Sequence, residues 1–278
     1  MARLGKRNLL LIRRDAAPGF YLDGGDLGEI LLPHRYIPEG AAPGDSVSVF
    51  LYRDSEDRLI ATTERPYAEV GQFAYLRVVG IAPGVGAFLD WGLTKDLFLP
   101  IREQARPIQE NNWVVVYILL DEQSNRILAS TRLERWLDLQ PATYARGESV
   151  QLLVDHETPL GYSAIINQSH RGLLYRTETG ESLAVGQPLT GYVREVRPDG
   201  KIDLTLDAIG YGRIVSLTGR ILESLGENGG YLALHDQSPP EAIREAFGVS
   251  KKAYKQAVGA LYRQKRLTLE PQGIRLLS

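Results

Sequence analysis

One pattern occurs three times in register along this chain, and self-similarity at fixed spacing means one small unit folded several times over. The pattern opens at Gly19-Phe20-Tyr21-Leu22-Asp23, at Gly86-Ala87-Phe88-Leu89-Asp90 and at Gly161-Tyr162-Ser163-Ala164-Ile165. Twelve positions after Tyr21, Phe88 and Ser163 stand Pro33, Pro100 and Tyr175, each preceded by an apolar pair, Leu31-Leu32, Phe98-Leu99 and Leu173-Leu174. Eleven positions further come Gly44-Asp45-Ser46-Val47, Asn111-Asn112-Trp113-Val114 and Gly186-Gln187-Pro188-Leu189. After another 14 or 15 positions a basic residue opens an apolar run, at Arg58, Arg126 and Lys201.

Each copy reads as strands. In the second, runs over 74–79, 87–91, 97–100, 113–120 and 127–131 are strand-like, with Gly84-Val85-Gly86 turning the chain. Five short strands in about 60 residues favour a small closed barrel over an open sheet, because closure leaves no unpaired edge. In the third copy Pro198-Asp199-Gly200 predicts a hairpin turn. After it Ile202, Leu204 and Leu206 fall on one face and Asp203 and Thr205 on the other. The same alternation sets Phe88 against Ala87 and Leu89. Leu89 is the better core residue, so Phe88 is expected outside, whereas Tyr21 and Phe98 suit either a ligand face or the core.

The 278 residues allow two to four domains, and 44% hydrophobic with 24% charged residues is ordinary for a globular chain. With no cysteine, disulfides, thiolate metal sites and thiol catalysis are excluded. The apolar run at 9–12 is too short for a signal-peptide core, and no run approaches the ~20 residues of a membrane span. A soluble cytoplasmic protein without membrane association is expected. The net charge of −2 is low for a nucleic-acid binder, but its distribution is uneven. Residues 212–278 carry ten basic and six acidic side chains, against 22 and 28 over residues 1–211. Between Gly248 and Leu269 there are six basic residues and no acidic one, which suits contact with a polyanion, or simply a solvated helix face.

The order of glycine, aromatic-bearing strand, apolar strand and basic-led strand resembles the ribosomal S1-type RNA-binding domain, a five-stranded OB-type barrel. The resemblance implies a ligand face carrying the aromatic of the second strand, a histidine ending the third, and an Asp/Arg pair at the last hairpin. Phe88 and Tyr21 match the aromatic; Asp54 and Arg58 match the pair; Arg126 and Lys201 match its basic member; Pro33, Pro100 and Tyr175 replace the histidine. Such residues suit single-stranded nucleic acid because an exposed ring stacks on a base and a cation neutralises phosphate. The string from Val185 to Leu204, with the 161–175 run before it, resembles the third barrel of the bacterial conserved virulence factor B family, and the resemblance extends over nearly the whole chain. It implies tandem S1-type barrels, a C-terminal winged helix, and RNA contacts by Tyr175, Arg194 and Lys201 or their neighbours. Tyr162 and Phe98 complete the candidate set in the barrels.

Beyond Leu206 the period changes. Ile214, Leu217, Ile221 and Leu225 recur at helical spacing, and Asn228-Gly229-Gly230 breaks the pattern. Ser238-Pro239-Pro240-Glu241 predicts a second helix capped by Ser238 and ended by Gly248. Ser250 caps a third, with Tyr254, Ala257, Val258, Leu261 and Tyr262 as its apolar stripe and Lys252, Lys255 and Arg263 opposite. A hairpin across 270–273 follows. Three helices and a hairpin are the order of a winged helix, whose third helix can enter a DNA groove. Lys251, Lys252, Lys255, Arg263, Lys265 and Arg266 suit phosphate contact better than base readout. The same fold also serves as a protein-contact module.

No catalytic constellation is evident. His34, His156, His170 and His235 are scattered without metal-ligand spacing. Asp155-His156-Glu157 reads as a polar loop without a nucleophile. Asp23, Asp90 and Asp96 lie in different copies or flank turns. The expected fold is mainly β with a C-terminal α+β domain: barrels at 1–66, 67–140 and 141–209, then a winged helix at 210–278. The expected role is non-enzymatic and cofactor-free, with single-stranded RNA as partner. DNA binding through the winged helix, and protein contact on a ribosome or nuclease complex, are the alternatives.

Overall fold

The computed structural model describes residues 1–277 except 177–178, 180–181, 208–210 and 236. The expected 209–210 junction and the side chain of Ile214 lie outside the described residues. Among the described residues, three closed five-stranded barrels precede three helices and a three-stranded sheet. Barrel 1 comprises β1 (Arg7–Ala16), β2 (Gly19–Asp23), β3 (Glu29–Pro33), β4 (Ser46–Arg53) and β5 (Leu59–Thr62). Barrel 2 comprises β6 (Phe73–Ala82), β7 (Gly86–Asp90), β8 (Leu97–Pro100), β9 (Trp113–Asp121) and β10 (Arg126–Ser130). Barrel 3 comprises β11 (Ser149–Thr158), β12 (Gly161–Ile166), β13 (His170–Tyr175), β14 (Pro188–Val196) and β15 (Ile202–Thr205).

The repeat is matched by register. Gly19 pairs with Pro33, Gly86 with Pro100 and Gly161 with Tyr175. The first strand of each barrel shifts register once, at Ile12/Arg14, Val78/Gly80 and Val154/His156. A bulge there bends the strand, so that its two halves pair with different neighbours and the sheet can close. A parallel contact completes each barrel, at Leu31–Ile60, Phe98–Leu128 and Leu174–Leu204. The opening glycine is a steric requirement. A Cβ at Gly19 or Gly161 would lie 2.1 or 2.0 Å from the carbonyl oxygen of Leu32 or Leu174, and both residues have positive φ, 143° and 154°.

Inside the barrels the alternation is regular. Ile12, Leu22, Leu32, Val49 and Leu51 fill barrel 1, while Val78, Ala87, Leu89, Leu99, Val116 and Ile118 fill barrel 2. Alternation fails where barrels meet. In β4, Phe50 and Tyr52 point away from their own core yet are buried, because they join the barrel 2 cluster with Ile60 and Trp91. Phe50 meets the Trp91 ring edge-on at 5.6 Å. In β12 every residue is buried, and on its outer face Ile165 packs with Phe73, Val115 and Leu133 of barrel 2 and the following turn. Gln168 Oε1 there accepts from the Phe73 N–H at 2.5 Å. A strand buried on both faces reads as a continuous apolar run, and each run marks a docking surface between barrels.

The C-terminal region contains α1 (Tyr211–Glu227), β16 (Tyr231–Leu232), α2 (Pro240–Phe247), α3 (Lys251–Arg263), β17 (Leu267–Glu270) and β18 (Gly273–Leu276). Leu217, Ile221 and Leu225 meet Ile243, Phe247, Tyr254 and Leu261 in one core. Gly248 ends α2 with φ 66°, and the Ser250 hydroxyl caps α3 by accepting from the Ala253 N–H. Three expectations need correction. Ser238 does not cap α2: Pro239 occupies the cap position, and the Ser238 hydroxyl accepts from the His235 N–H instead. Tyr262 is 53% exposed, one position past Leu261 and turned out of the core stripe. Asp155-His156-Glu157 is not a loop but part of β11; the Asp155 carboxylate is buried and paired with Arg171 at 2.6 Å.

Candidate nucleic-acid interface

Barrels 1 and 2 are interlocked, and their junction gathers candidate residues from two repeats. Lys95, from the turn between β7 and β8, donates to the backbone carbonyls of Asp54 and Arg53 at 2.7 and 3.0 Å. Burial pulls the Lys95 ammonium below the ordinary lysine pKa. Tyr36 and Thr94 share a hydroxyl hydrogen bond at 3.2 Å. Arg126 of barrel 2 meets Asp57 of barrel 1 at 3.2 Å, and Arg53 donates to the Asn125 carbonyl at 3.1 Å.

Along this junction runs an open groove of about 630 Å³. Its barrel 1 wall carries Pro33, Arg35 and the Asp54–Arg58 pair. Its barrel 2 wall carries Phe88, Phe98 and Lys95. An adjoining hollow of about 240 Å³ shares Lys95, Asp96 and Phe98 and extends to Arg126. Asp54, Arg58, Phe88, Phe98 and Arg126 thus come to one place, although Arg58 and Phe88 belong to different copies of the repeat.

The aromatic wall is built by register. Phe88 and Phe98 are directly paired across β7 and β8, with ring centroids 5.4 Å apart. Ala87 and Leu89 turn inward, which leaves Phe88 37% exposed. Phe98 is half-buried because its ring lies over Gly86, where a Cβ would come within 2.7 Å of it. Opposite, Arg58 donates twice to one Asp54 oxygen, at 2.9 and 2.7 Å, and also meets Glu56 at 2.8 Å. Burial opposes ionisation of Asp54, but hydrogen bonds from the Arg58 side chain and backbone outweigh it and hold the carboxyl below its ordinary pKa. Arg58 itself stays 64% exposed by side chain, so it can face a phosphate while Asp54 fixes its direction.

The remaining barrel candidates lie elsewhere. Tyr21 is half-buried, and the Arg14 guanidinium covers its ring at 3.9 Å, held there by Glu29 at 2.6 Å. Tyr162 cannot serve as a stacking residue: it is 2% exposed within the barrel 3 core, because it occupies the inward phase shared by Phe20 and Ala87. The outward phase in β12 belongs to Ser163, which is itself buried. Tyr175 is half-buried in a network that the sequence reading missed. Its hydroxyl donates to Asp203 at 3.3 Å and accepts from Arg197, which also bonds Asp203 at 2.8 Å. Asp203 faces outward as alternation requires, yet this network leaves it only 8% exposed. Arg194 is exposed, and Lys201 pairs with Asp199 at 3.0 Å.

On the winged helix, Lys252, Lys255 and Arg263 share one exposed stripe of α3 with Gln256 and Tyr262. Lys251 is turned aside and donates to the Gln237 carbonyl at 3.1 Å. Lys265 and Arg266 are exposed just beyond the helix, Lys265 with a left-handed φ of 56°. Lys95, Arg35 and Arg197 were absent from the sequence-based set. Only Arg197 had a local cue, since it immediately precedes the Pro198 turn. Among the described residues, no group of three or more His, Asp or Glu side chains is placed to hold a metal ion. No helix among them is long and apolar enough to cross a membrane.

Comparison with known proteins bears on both halves of the chain. Residues 4–64 match the S1 domain family, and residues 219–276 match the CvfB-like winged helix domain. The uncharacterized protein YitL of Bacillus subtilis is 27% identical over 280 residues, covering 96% of this chain and 92% of that protein. Conserved virulence factor B of Staphylococcus saprophyticus is 23% identical over 241 residues, covering 84% of this chain and 80% of its own. A crystal structure of a multidomain protein with nucleic acid binding domains from Streptococcus pneumoniae aligns over 99% of this chain and 98% of its own, with 23% identity and a TM-score of 0.42. The S1 and winged-helix domain types support a nucleic-acid-binding role.

Proposed function

From a chain similar to the conserved virulence factor B family over most of its length, with an S1 domain and a CvfB-like winged helix, we propose a non-enzymatic protein that binds single-stranded RNA. The observation that carries the reading is the groove between barrels 1 and 2, where Phe88 and Phe98 face the Asp54–Arg58 pair. Bases stack on the two rings, and Arg58, with Arg35 beside it, neutralises the passing phosphates. A single strand fits this chemistry better than a duplex, because stacking on a side chain requires an unpaired base face. Four units, 1–66, 67–140, 141–209 and 210–278, act in tandem in this reading, and the exposed cations of α3 add phosphate contacts. Linkage of weak contacts raises affinity without any single strong site.

The test is a fluorescence-anisotropy titration of a labelled single-stranded RNA and a DNA duplex of equal length against the full chain. Phe88→Ala should weaken RNA binding. A combined Lys252→Glu, Lys255→Glu and Arg263→Glu variant should weaken it less steeply at high salt. Duplex binding that exceeds RNA binding and is lost only in the triple variant would replace this reading with a winged-helix DNA binder.

A further inference from the structure

Barrel 2 carries a second aromatic surface on strands that the groove does not use. Along β6 and β9 the outward residues are Phe73, Tyr75 and Arg77, paired with Tyr117, Val115 and Trp113. Barrel 3 covers one end of this face. Phe73 and Val115 lie beneath Ile165, and Trp136 stacks on Tyr117 at 4.6 Å with an interplanar angle of 12°. The other end emerges uncovered. Trp113 is 54% exposed, and its ring lies 5.2 Å from that of Tyr75, tilted by 33°. Arg77 stands directly opposite Trp113 and is exposed.

We propose that Trp113, Tyr75 and Arg77 form a second base-stacking site for single-stranded RNA at the seam of barrels 2 and 3. It rests on the RNA-binding reading but uses none of the groove residues. The site is rigid. Tyr75 lies flat on Gly186 of barrel 3, where a Cβ would come within 2.0 Å of the ring, so docking of the third barrel fixes the platform. A hollow of about 430 Å³ continues from Tyr75 past Pro188 to the Gln151 amide. The Gln151 amide donates to Thr190 at 3.3 Å, which leaves its carbonyl oxygen directed by a held side chain and able to accept from a base edge. Two rings and a guanidinium at the open end match a nucleotide's π-face and phosphate, and the Gln151 amide, on the far side of Tyr75 in the hollow, suits the edge of a neighbouring base. The carboxylate nearest in register, Asp90, is turned into its own bend and accepts from the Gly92 N–H at 3.0 Å. It therefore does not occupy Arg77.

Tryptophan emission reports this site directly. Of the three tryptophans, Trp91 is 2% exposed and Trp136 is stacked against Tyr117, so Trp113 is the solvent-facing fluorophore. The full chain is titrated with a 20-residue oligouridylate at low salt. The expected result is quenching that is absent in Trp113→Phe, and about a tenfold loss of affinity in Trp113→Ala. Phe88→Ala should bind more weakly yet retain the quenching at saturation. Quenching that persists in Trp113→Phe, or unchanged affinity in Trp113→Ala, would overturn the second site while leaving the groove intact. Quenching of Trp113 by a proline-rich peptide but not by RNA would also overturn it. An affinity loss in Trp113→Ala with none in Phe88→Ala would support this site and count against the groove.

Discussion

A double-mutant cycle between Arg58 and Phe88 tests whether the groove between barrels 1 and 2 is one site or two neighbouring ones. Phe88 is 37% exposed and its ring pairs with that of Phe98, so its removal forfeits about 0.5–1.5 kcal/mol of pairing on top of the area it buries, outside the barrel core. Its loss from a stacked base should cost ~1–3 kcal/mol of binding, roughly 5- to 150-fold in Kd. Arg58 differs in kind. It is largely exposed and anchored through Asp54, so Arg58→Ala should chiefly flatten the salt dependence. The log–log slope should fall by about 0.7 if one single-strand phosphate is released. If one strand crosses both walls, losing either contact loosens the other. The double variant should then lose less than the product of the single losses, by about twofold or more. The assay is anisotropy with a labelled single-stranded RNA at four or more salt concentrations. Strict multiplicativity, together with an unchanged slope in Arg58→Ala, would refute the composite groove.

Three further outcomes follow from the packing. Phe50→Ala removes a fully buried ring at the barrel 1–barrel 2 contact and should cost about 3–5 kcal/mol; urea denaturation should show this loss in a transition shared by both barrels, and a loss confined to barrel 1 would contradict their fusion. Gly86→Ala would bring a methyl within 2.5 Å of the Leu99 carbonyl oxygen and 2.7 Å of the Phe98 ring; RNA affinity should fall with loss of the Phe98 position, and wild-type affinity would show that Phe98 is not part of the platform. The lowered carboxyl pKa of Asp54 means that its pairing contributes fully above the unfolded value, about 3.9, and that this contribution is lost as pH falls through the folded value. Asp54→Asn should therefore flatten the acid limb of a stability–pH profile measured by urea midpoints, and an unaltered limb would count against the Asp54–Arg58 pair.

The repeat made the fold largely legible. Gly19, Gly86 and Gly161 mark the point in each copy where a Cβ would strike the neighbouring strand, and alternation around Leu22, Leu89 and Ala164 predicts the inward face. These are local properties of a strand and its immediate partner, so they appear in the one-dimensional pattern. Tyr162 shows the limit even there. Its aromatic character drew it into the ligand set, although its phase matched buried Phe20 and Ala87 rather than Phe88. The winged helix was legible for the same reason, through helix periodicity and the stops at Gly229 and Gly248.

What the sequence determined by itself is therefore the unit: a five-stranded barrel written three times, and the basic helix stripe that follows. How the units face one another was decided only in the tertiary structure. Phe50 and Tyr52 announce that β4 has a second buried face, but not that Trp91 lies on the other side of it. Arg58 and Phe88 line one groove because two barrels dock through that face, and Trp113 stays uncovered because barrel 3 stops at Tyr75. Spacing along a chain encodes pairing within a barrel, where partners are a fixed few residues apart. Contact between barrels depends on the shape and chemistry of whole surfaces, which no local period records.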